Sequence, residues 1–466
     1  MPGLDTVRIS DTMAFFMNLL DRHTTKTIWA LAWPTVLHSF LQTFVGFVDT
    51  IMVGRLDNGV DAISAVGMSQ QLIFVVMVGV LAISTGCTTF VAQFYGAGQH
   101  EDVSRTVAQS LLMALALGAV VGVLGFVSAG SLLDLIRAPD EIQRLGVSYM
   151  RIFFGGVFFF FFGFISAAVL RGAGDTVTPL KVSVVVNVVN VVANYALIFG
   201  AWGCPRMEVA GAALGSVIAR AVGAVLGMYI LFSGRFRVRL QLARFREISL
   251  SLMGRVLRVG IPSGLQGVVR NGTRLAFFAI VAGSLAGRCA IAAVTIGFRV
   301  RMIAIMPALA IQVAAVALVG QRIGQKKIDE AERFGWGAIW LCTTIMTGIG
   351  LLLFVFAPWV VRLFTTSPET IEIGATMLRF FIVGQTFAAA SIATGGSLAG
   401  AGDTAPAFFY ALIGQCFVML PLAYVLCYYT RLDVVGVWIA WVTAEALQLV
   451  LILLRFRGGE WKTMKV

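Results

Sequence analysis

The chain contains one segment twice, at a constant offset of 228 residues. The five residues Gly172–Thr176 (Gly-Ala-Gly-Asp-Thr) return unchanged as Gly400–Thr404, and the same offset pairs Pro34 with Pro262. Further identical pairs on this offset start from these residues of the first copy: Ala62, Ala65, Val66, Gln93, Gly96, Arg151, Phe153 and Leu170. A single offset held over this length indicates a duplicated folding unit, and internal repeats of this size in a membrane protein are typical of transporters.

The composition is that of an integral membrane protein. Hydrophobic residues make up 59% of the 466 residues and charged residues only 12%, about half the charged share of a soluble domain. Apolar runs long enough to cross a ~30 Å hydrocarbon layer recur throughout the chain. We therefore predict an all-α, multi-pass protein of the bacterial inner membrane, with two pseudo-symmetric six-helix bundles. The twelve predicted helices cover residues 28–53, 62–92, 104–129, 144–170, 177–200, 209–233, 256–284, 290–318, 334–357, 371–398, 405–429 and 434–455.

The net charge of +12 sets the orientation of the chain and does not indicate nucleic-acid binding. Cationic residues crowd the segments that must share one side of the membrane, and such segments stay in the cytoplasm, where they contact anionic lipid. Both termini are therefore predicted to be cytoplasmic. The predicted organisation is an N-terminal segment 1–27, an N-lobe 28–233, a basic linker 234–255, a C-lobe 256–455 and a tail 456–466. We expect no cleavable signal, and residues 13–20 could form an amphipathic helix on the inner face.

Several classes of function are disfavoured by what the chain lacks. The phosphate-binding pattern G-x-x-x-x-G-K-[S/T] does not occur, so uphill transport would need an ion gradient. The six cysteines have neither metal-ligand nor redox spacing. Three histidines, His23, His38 and His100, lie far apart and make no catalytic cluster. We therefore expect no enzyme activity, no cofactor and no bound metal; a membrane enzyme, a scaffold or a channel are weaker alternatives.

Asp49 is the most informative charge inside a predicted span, because ionisable groups in the membrane are costly and mark function. It lies in the outer half of the first helix, with no Lys or Arg within one turn. Gln42 and His38 precede it by seven and eleven residues, and both spacings are close to whole helical turns. The first helix therefore carries a polar face, on which we assign Asp49 to ion coupling and Gln42 and His38 to a substrate cleft.

The fifth helix carries a second polar face. Asn187, Asn190 and Asn194 are spaced three and four residues apart, and Tyr195 follows. Three amides beside one carboxylate could share a proton or coordinate a small cation, so we assign the asparagines to ion coupling and Tyr195 to the cleft. The alternative is that the amides only form hydrogen bonds that hold the helices together.

The second copy does not repeat these charges. Phe277 stands where the first copy has Asp49, while the seventh helix carries Arg270 and Asn271, which we assign to the cleft together with Glu445. Glu445 follows Gly436 by nine residues, just as Arg220 follows Gly211, so the two occupy equivalent places relative to these glycines. We interpret each as a member of a buried ion pair more readily than as a second coupling site. Further arginines within the predicted spans are Arg274, Arg299 and Arg301.

The duplicated Gly-Ala-Gly-Asp-Thr element lies on the cytoplasmic side of both copies. Its glycines can end one helix, and Asp175 or Asp403 can cap the next helix. We favour this capping role over ion binding, and a gate hinge is the remaining alternative. Pro307 and Pro421 should interrupt helices eight and eleven, whereas Pro34, nearer the start of its helix, should disturb it less.

The chain resembles the multidrug and toxic compound extrusion (MATE) family over essentially its whole length. The motifs that carry the resemblance are Pro34 with Gln42 and Val48-Asp49-Thr50, Val91 to Gly98, Leu170 to Thr176, and Gly436 to Ala440. The resemblance implies two six-helix lobes around a V-shaped cleft. It also implies export of organic cations or other amphipathic compounds in exchange for protons or sodium. By the same resemblance, Asp49 matches the coupling carboxylate, and Gln42 and Asn190 match its polar companions.

Two departures from the family pattern favour protons over sodium. The DinF-like branch has a second carboxylate four residues after the helix-five asparagine, where this chain has Asn194. The NorM-like branch carries acidic residues on helices seven and ten, where this chain has Arg270 and Ala388. We expect a monomer that binds small molecules and membrane lipid. The intramembrane arginines keep an alternative open, in which the same fold moves an anionic or lipid-linked cargo.

Overall fold

The computed structural model describes residues 22–135 and 137–464. The described chain folds into twelve long helices, some of them interrupted, and the predicted patch at residues 13–20 lies outside it. The six helices of the first copy are α1 (Arg22–Gly54), α2 (Gly59–Gly96), α3 (His100–Leu135), α4a and α4b (Asp140–Gly155 and Val157–Gly172), α5 (Val177–Phe199) and α6 (Glu208–Ser233). Those of the second copy are α7 (Leu250–Ala282), α8a and α8b (Gly287–Ala304 and Met306–Gly324), α9 (Ile328–Arg362), α10 (Pro368–Ala401), α11a and α11b (Ala405–Leu412 and Leu420–Tyr428) and α12 (Val434–Gly458).

These helices agree with the twelve predicted from the apolar runs. Within the described residues, ten are long and apolar enough to cross a membrane, and the bent pair α4a and α4b makes an eleventh. The twelfth is α7, which is 33 residues long and carries four arginines, Arg255, Arg258, Arg270 and Arg274. Most of the observed helices extend beyond the predicted ends; α1, for example, begins at Arg22 and not at residue 28.

The interruptions follow from local chemistry. Ile305 separates α8a from α8b immediately before Met306 and Pro307, and a π-helical turn, Ile413–Met419, precedes Pro421 in α11b. Because proline lacks an N–H and its ring clashes with the preceding turn, both breaks are expected at these positions. Pro34 lies inside the continuous helix α1, as predicted. The bend of 52° between α4a and α4b at Gly156 was not predicted from the sequence.

Equivalent contacts repeat in the two copies at the offset of 228 residues. A Cβ atom added at Gly172 would lie 2.7 Å from the carbonyl oxygen of Thr88, and one added at Gly400 would lie 2.7 Å from that of Val316. Only glycine allows the two helix backbones to approach this closely. The duplicated glycines therefore fix the same helix crossing, α4b on α2 and α10 on α8b, once in each copy.

A second repeated contact joins a guanidinium group to an aromatic ring. Arg151 lies over the ring of Phe126 at 5.7 Å, and Arg379 lies over the ring of Phe354, also at 5.7 Å. Both pairs differ by the same 228 residues. The duplication read from the sequence is therefore also a duplication of side-chain contacts.

The described residues form two compact units. The N-terminal unit comprises residues 34–272 and 402–409, and the C-terminal unit comprises residues 22–33, 273–401 and 410–464. These bounds differ from the predicted lobes, since the start of α1 belongs to the C-terminal unit and the first part of α7 to the N-terminal unit. In the N-terminal unit, Gly260 of α7 abuts the carbonyl group of Ala82, and Gly86 of α2 abuts that of Val256. These close backbone contacts attach the start of α7 to this unit.

The basic linker is folded against the N-terminal end of α3. Gln109, which is fully buried, donates a hydrogen bond to the carbonyl oxygen of Glu247 at 2.9 Å and accepts one from the Ser249 N–H at 3.2 Å. The Gln241 N–H donates to Ser104 Oγ at 3.0 Å, and Arg244 pairs with Glu101 at 2.9 Å. The linker is therefore an ordered part of the N-terminal unit.

Candidate functional site

The carboxylate of Asp49 meets the amide of Asn194 inside the N-terminal unit. Asn194 Nδ2 donates a hydrogen bond to Asp49 Oδ1 at 2.8 Å, which joins α5 to α1. Asn194 is fully buried, and Asp49 is half-buried. Among the residues that the structure describes, Asp49 forms no ion pair. The carboxylate is thus held by a neutral partner and keeps acceptor capacity for a proton or a small cation.

The amide chain continues from Asn194 to α6. Asn194 Nδ2 also lies 3.4 Å from Asn190 Oδ1, and Asn190 Nδ2 donates to Ser216 Oγ at 3.2 Å. The resemblance pointed to Asn190, yet the side chain in direct contact with Asp49 is Asn194, one helical turn nearer the C-terminal end of α5. Asn190 supports the site through Asn194.

Ser216 was not among the site residues predicted from the sequence, although its neighbours form a recognisable helix-packing pattern. Gly211 and Gly215 form a G-x-x-x-G pattern on α6, which is typical of close helix packing in membranes. A Cβ atom at Gly211 would lie 2.5 Å from the carbonyl oxygen of Leu197, and one at Gly215 would overlap the amide oxygen of Asn194. Gly215 therefore provides the space that Asn194 occupies, and the close approach brings Ser216 within reach of Asn190.

The surroundings of Arg220, on α6, differ from those predicted from the sequence. We expected a buried ion pair, but within the described residues Arg220 forms none. Its guanidinium group instead lies over the ring of Phe160 at 4.8 Å, and the cation–π contact takes the place of a counter-ion. Arg220 interacts electrostatically, at longer range, with Asp49, His38 and Tyr149. Ser216 and Arg220 lie one turn apart on the same face of α6.

In the described structure, the other candidate residues of the first copy form no hydrogen bond with this chain of polar side chains. Gln42 is exposed, and His38 is half-buried, with no hydrogen-bond partner for its buried Nδ1 in the described structure. Asn187 is half-buried, and its Nδ2 has no partner there either. Tyr195 is 46% exposed and contacts the rings of Phe199 and Trp202 at 5.5 and 5.6 Å. Of the predicted residues of the first copy, therefore, only Asn194 bonds to Asp49 directly, and Asn190 is linked to it through Asn194.

The C-terminal unit has a buried ion pair in place of a lone carboxylate. Arg301 Nη2 of α8a lies 3.4 Å from Glu445 Oε1 of α12, and the guanidinium group lies over the ring of Trp441 at 4.6 Å. This confirms the interpretation of Glu445 as a member of a buried pair. Phe277, the equivalent of Asp49, is 1% exposed and packs on Phe298 and Trp438 at 5.9 Å each. The equivalent position is thus an aromatic core.

The remaining cleft candidates are both on α7, in the N-terminal unit. Arg270 is exposed and is the counterpart of Gln42 at the offset of 228 residues. Asn271 is half-buried, and its Nδ2 donates to the carbonyl oxygen of Gly267 at 2.9 Å, within its own helix. The residues predicted to line the cleft therefore belong to different units, since Arg270 and Asn271 are in the N-terminal unit and Glu445 is in the C-terminal unit.

The duplicated aspartates differ in their surroundings. Asp175 Oδ1 accepts a hydrogen bond from the Thr178 N–H at 2.9 Å in the first turn of α5, so it caps this helix as predicted. The residue of α11a that corresponds to the donor Thr178 is Pro406, which has no N–H to donate. Asp403 is 3% exposed, and the adjacent Thr404 donates to the carbonyl oxygen of Val259 at 2.6 Å. Pro34 is buried in α1.

The chemistry available at the site is that of one carboxylate among neutral amides and hydroxyls. In the described part of the chain, no group of three or more His, Cys, Asp or Glu side chains could hold a metal ion. A carboxylate with amide neighbours can bind a proton or a small monovalent cation, and it can attract the positive group of an organic molecule.

Comparison with known proteins identifies the family. The MatE family model matches residues 34–196 and 271–425, which correspond to the two copies. The probable multidrug resistance protein NorM of Thermotoga maritima is 31% identical over 445 residues, which cover 95% of this chain and 94% of the relative. The uncharacterized transporter YisQ of Bacillus subtilis is 25% identical over 94% of this chain and 95% of its own.

Solved structures agree with the fold. A crystal structure of a MATE protein in its bent conformation superposes with a TM-score of 0.86 at 23% identity, covering 93% of this chain and 95% of the other. An outward-facing multidrug resistance MATE transporter gives a TM-score of 0.85 at 24% identity with the same coverage. Two matched copies, near-complete coverage by a bacterial relative and a shared fold lead to one conclusion: this chain belongs to the MATE family and is a multi-pass membrane transporter, not an enzyme.

Proposed function

We propose that the protein exports organic cations or other amphipathic compounds in exchange for protons, and that Asp49 is the coupling group. The observation that carries the proposal is the hydrogen bond from Asn194 to Asp49, which holds a carboxylate in a membrane-spanning helix with a neutral partner. The names of the bacterial relatives, which describe multidrug resistance proteins, support export as the direction of transport.

In the proposed mechanism, proton and cargo compete for Asp49. The ionised carboxylate attracts a cationic cargo from the cytoplasmic side. A proton entering from the outer side removes this charge, so the attraction is lost and the cargo is released. Because loss of the charge also weakens the bond with Asn194, α1 can repack against α5 at the same step. Two ligands that exclude each other at one group are coupled by that exclusion, which is sufficient for exchange.

The available driving force is adequate for this exchange. Moving one elementary charge across the membrane contributes about 2.3 kcal/mol per 100 mV, and a pH gradient adds to it. Alternation between inward-open and outward-open states is typical of repeat-built secondary transporters. The expected working form is a monomer in the bacterial inner membrane.

The test is transport by Asp49→Asn in inside-out vesicles, with ethidium as the fluorescent cation. A pH gradient and a sodium gradient are imposed separately. Wild-type protein should accumulate ethidium under the pH gradient, whereas Asp49→Asn should fall to the level of vesicles without the protein. Undiminished accumulation by Asp49→Asn would remove this residue from the mechanism, and accumulation under the sodium gradient alone would replace the proton by sodium.

Asp57→Asn is the matched control. Asp57 is also an aspartate of the N-terminal unit, but it is exposed beyond the end of α1 and pairs with Arg206 at 2.6 Å. This variant should transport like the wild type. Equal losses in the two variants would show that the effect comes from removing any carboxylate and not from the site.

A further inference from the structure

Two arginines of the C-terminal unit are exposed within membrane-spanning helices and have no counter-ion. Arg274 lies on α7, eight residues before the helix ends at Ala282, and Arg299 lies on α8a, twelve residues after the helix begins at Gly287. With a rise of 1.5 Å per residue, they lie about 12 and 18 Å from these helix ends. Both side chains are exposed, and in the described structure neither forms an ion pair.

An aromatic contact places the two arginine residues at the same level of neighbouring helices. Arg274 lies over the ring of Phe298 at 5.8 Å, and Phe298 directly precedes Arg299. Phe278, one turn after Arg274, packs on the same Phe298 ring at 5.6 Å. Phe298 therefore places Arg274 beside an apolar aromatic surface, which is a suitable neighbour for an amphipathic molecule, and Arg299 is the next residue on the same helix.

The acidic residues of this unit do not neutralise the pair. Most of the described acidic residues lie in loops or within about one turn of a helix end: Asp329, Glu330, Glu332, Glu369, Glu372, Asp433 and Glu460. The exception is Glu445, in the middle of α12, which is committed to Arg301. Charged side chains in membrane-spanning helices face a bundle interior or a water-filled cavity and not lipid. Exposed arginines at this depth are therefore expected to face a water-filled cavity, which an anion could enter.

The positive charge is specific to the second copy. At the offset of 228 residues, Arg274 corresponds to Gly46 and Arg299 to Gln71, and all four positions are exposed. The first copy thus presents neutral residues where the second presents two cations. An architectural role shared by the two copies would not require this difference, whereas recognition of an anion would.

From these observations we infer that Arg274 and Arg299 form a binding site for the anionic group of an amphipathic cargo, a carboxylate, sulfonate or phosphate next to an apolar ring system. The inference rests on the proposed export function and refines it, because it assigns the cargo an anionic group in addition to the positive group that Asp49 attracts. Guanidinium groups bind such groups through paired, charge-assisted hydrogen bonds, while Phe298 and Phe278 contact the apolar part.

Binding to purified protein tests the site without requiring transport. The probes are 7-hydroxycoumarin-3-carboxylate and its ethyl ester, which share the ring system and differ in the carboxylate charge. Fluorescence anisotropy is measured in phosphatidylcholine nanodiscs. The wild type should bind the carboxylate at least about tenfold more tightly than the ester. Arg274→Gln/Arg299→Gln should lose this preference, and Arg274→Lys/Arg299→Lys should retain most of it.

The control is Arg379→Gln, which removes another exposed arginine of the same unit that also lies over an aromatic ring, Phe354. It should leave the affinity unchanged. The binding measurement needs neither a pH gradient nor transport, so a failure of the proton-coupling proposal leaves this test intact. Equal binding of carboxylate and ester, or equal losses in Arg379→Gln and the double variant, would overturn the inference.

A lipid headgroup is the other source of the same chemistry. The binding measurement is therefore repeated in nanodiscs that contain phosphatidylglycerol. A cargo site should keep its affinity for the carboxylate within about twofold, because lipid does not occupy it. If phosphatidylglycerol displaces the probe from the wild type, the arginines hold a lipid headgroup and the cargo assignment is wrong.

Discussion

Asn194 Nδ2 lies 2.8 Å from Asp49 Oδ1 and 3.4 Å from Asn190 Oδ1, so one amide group joins the carboxylate to the polar chain on α5 and α6. An amide without its own charge can bond to the carboxyl group in both of its protonation states, although the bond to the protonated form is weaker. An arginine at this position would favour the ionised form alone. The neutral partner is therefore compatible with repeated gain and loss of a proton.

Asn194→Ala should weaken coupling more than Asn187→Ala. The first change removes the donor to Asp49, while the second removes an amide whose Nδ2 has no partner in the described structure. We expect proton-driven ethidium transport to fall about tenfold or more in Asn194→Ala, the effect of losing one hydrogen bond to a charged group. Asn187→Ala should stay within about twofold. A reversed order would assign coupling to Asn187.

Breaking the ion pair of Glu445 should destabilise the C-terminal unit. Glu445→Gln leaves the guanidinium group of Arg301 buried without a counter-charge, and loss of one partner of a buried pair costs about 3–5 kcal/mol. The measurement is the thermal unfolding midpoint in detergent. The double variant Arg301→Met/Glu445→Leu should recover most of the loss, since well-packed apolar residues can replace such a pair.

The control for this pair is Glu330→Gln, which breaks contacts of a more exposed glutamate with Lys327 and Arg322. Surface pairs contribute about 0–1 kcal/mol, so its midpoint should move little. Equal shifts in Glu445→Gln and Glu330→Gln would show that burial of the Arg301 pair has no energetic consequence.

The duplicated glycines should be equally intolerant of alanine. The added methyl group of Gly400→Ala would lie 2.7 Å from the carbonyl oxygen of Val316, and that of Gly172→Ala would lie 2.7 Å from the carbonyl oxygen of Thr88. Overpacking of this kind costs about 1–3 kcal/mol, which thermal unfolding should detect in both variants. Gly395→Ala, on the same helix as Gly400, has its nearest neighbour at 3.7 Å and should be tolerated. A destabilised Gly395→Ala would attribute the effect to helix α10 in general.

Gln109→Leu should release the basic linker from α3. The change removes the bonds to the Glu247 carbonyl and the Ser249 N–H, with an expected cost of about 1–3 kcal/mol. Because the linker is rich in arginine, the measurement is the rate of tryptic cleavage between residues 234 and 249, which should rise. Gln325→Leu, which changes an exposed glutamine bonded to Arg322, should leave the rate unchanged. Resistance of Gln109→Leu to trypsin would show that other contacts hold the linker.

The fold could be predicted from the sequence because its main signals are local. Apolar runs of about 20 residues define the helices, prolines mark the breaks of α8 and α11, and the offset of 228 residues shows the duplication. The cap by Asp175 was also predictable, since it depends on residues three apart. The bend at Gly156 was missed because glycine alone does not distinguish a bend from a close contact.

The partners within the site could be predicted only in part. Helical spacing placed Asp49 and the asparagines on polar faces, but it could not decide which asparagine reaches the carboxylate, because this depends on the rotation and depth of α5 relative to α1. The same limit applies to Arg220, whose contact is Phe160 and not an acid. The packing of the linker depends on Gln109, more than a hundred residues away, and no local pattern reports it.

The matching arginine–ring contacts, Arg151 with Phe126 and Arg379 with Phe354, bear on the origin of the molecule. An ancestor assembled from two identical half-length chains would have carried the same charges on both sides of its symmetry axis. Joining the halves into one gene removed that constraint, so equivalent positions could differ, as Asp49 and Phe277 now do. Fusion thus allowed each half to acquire charges that the other half lacks.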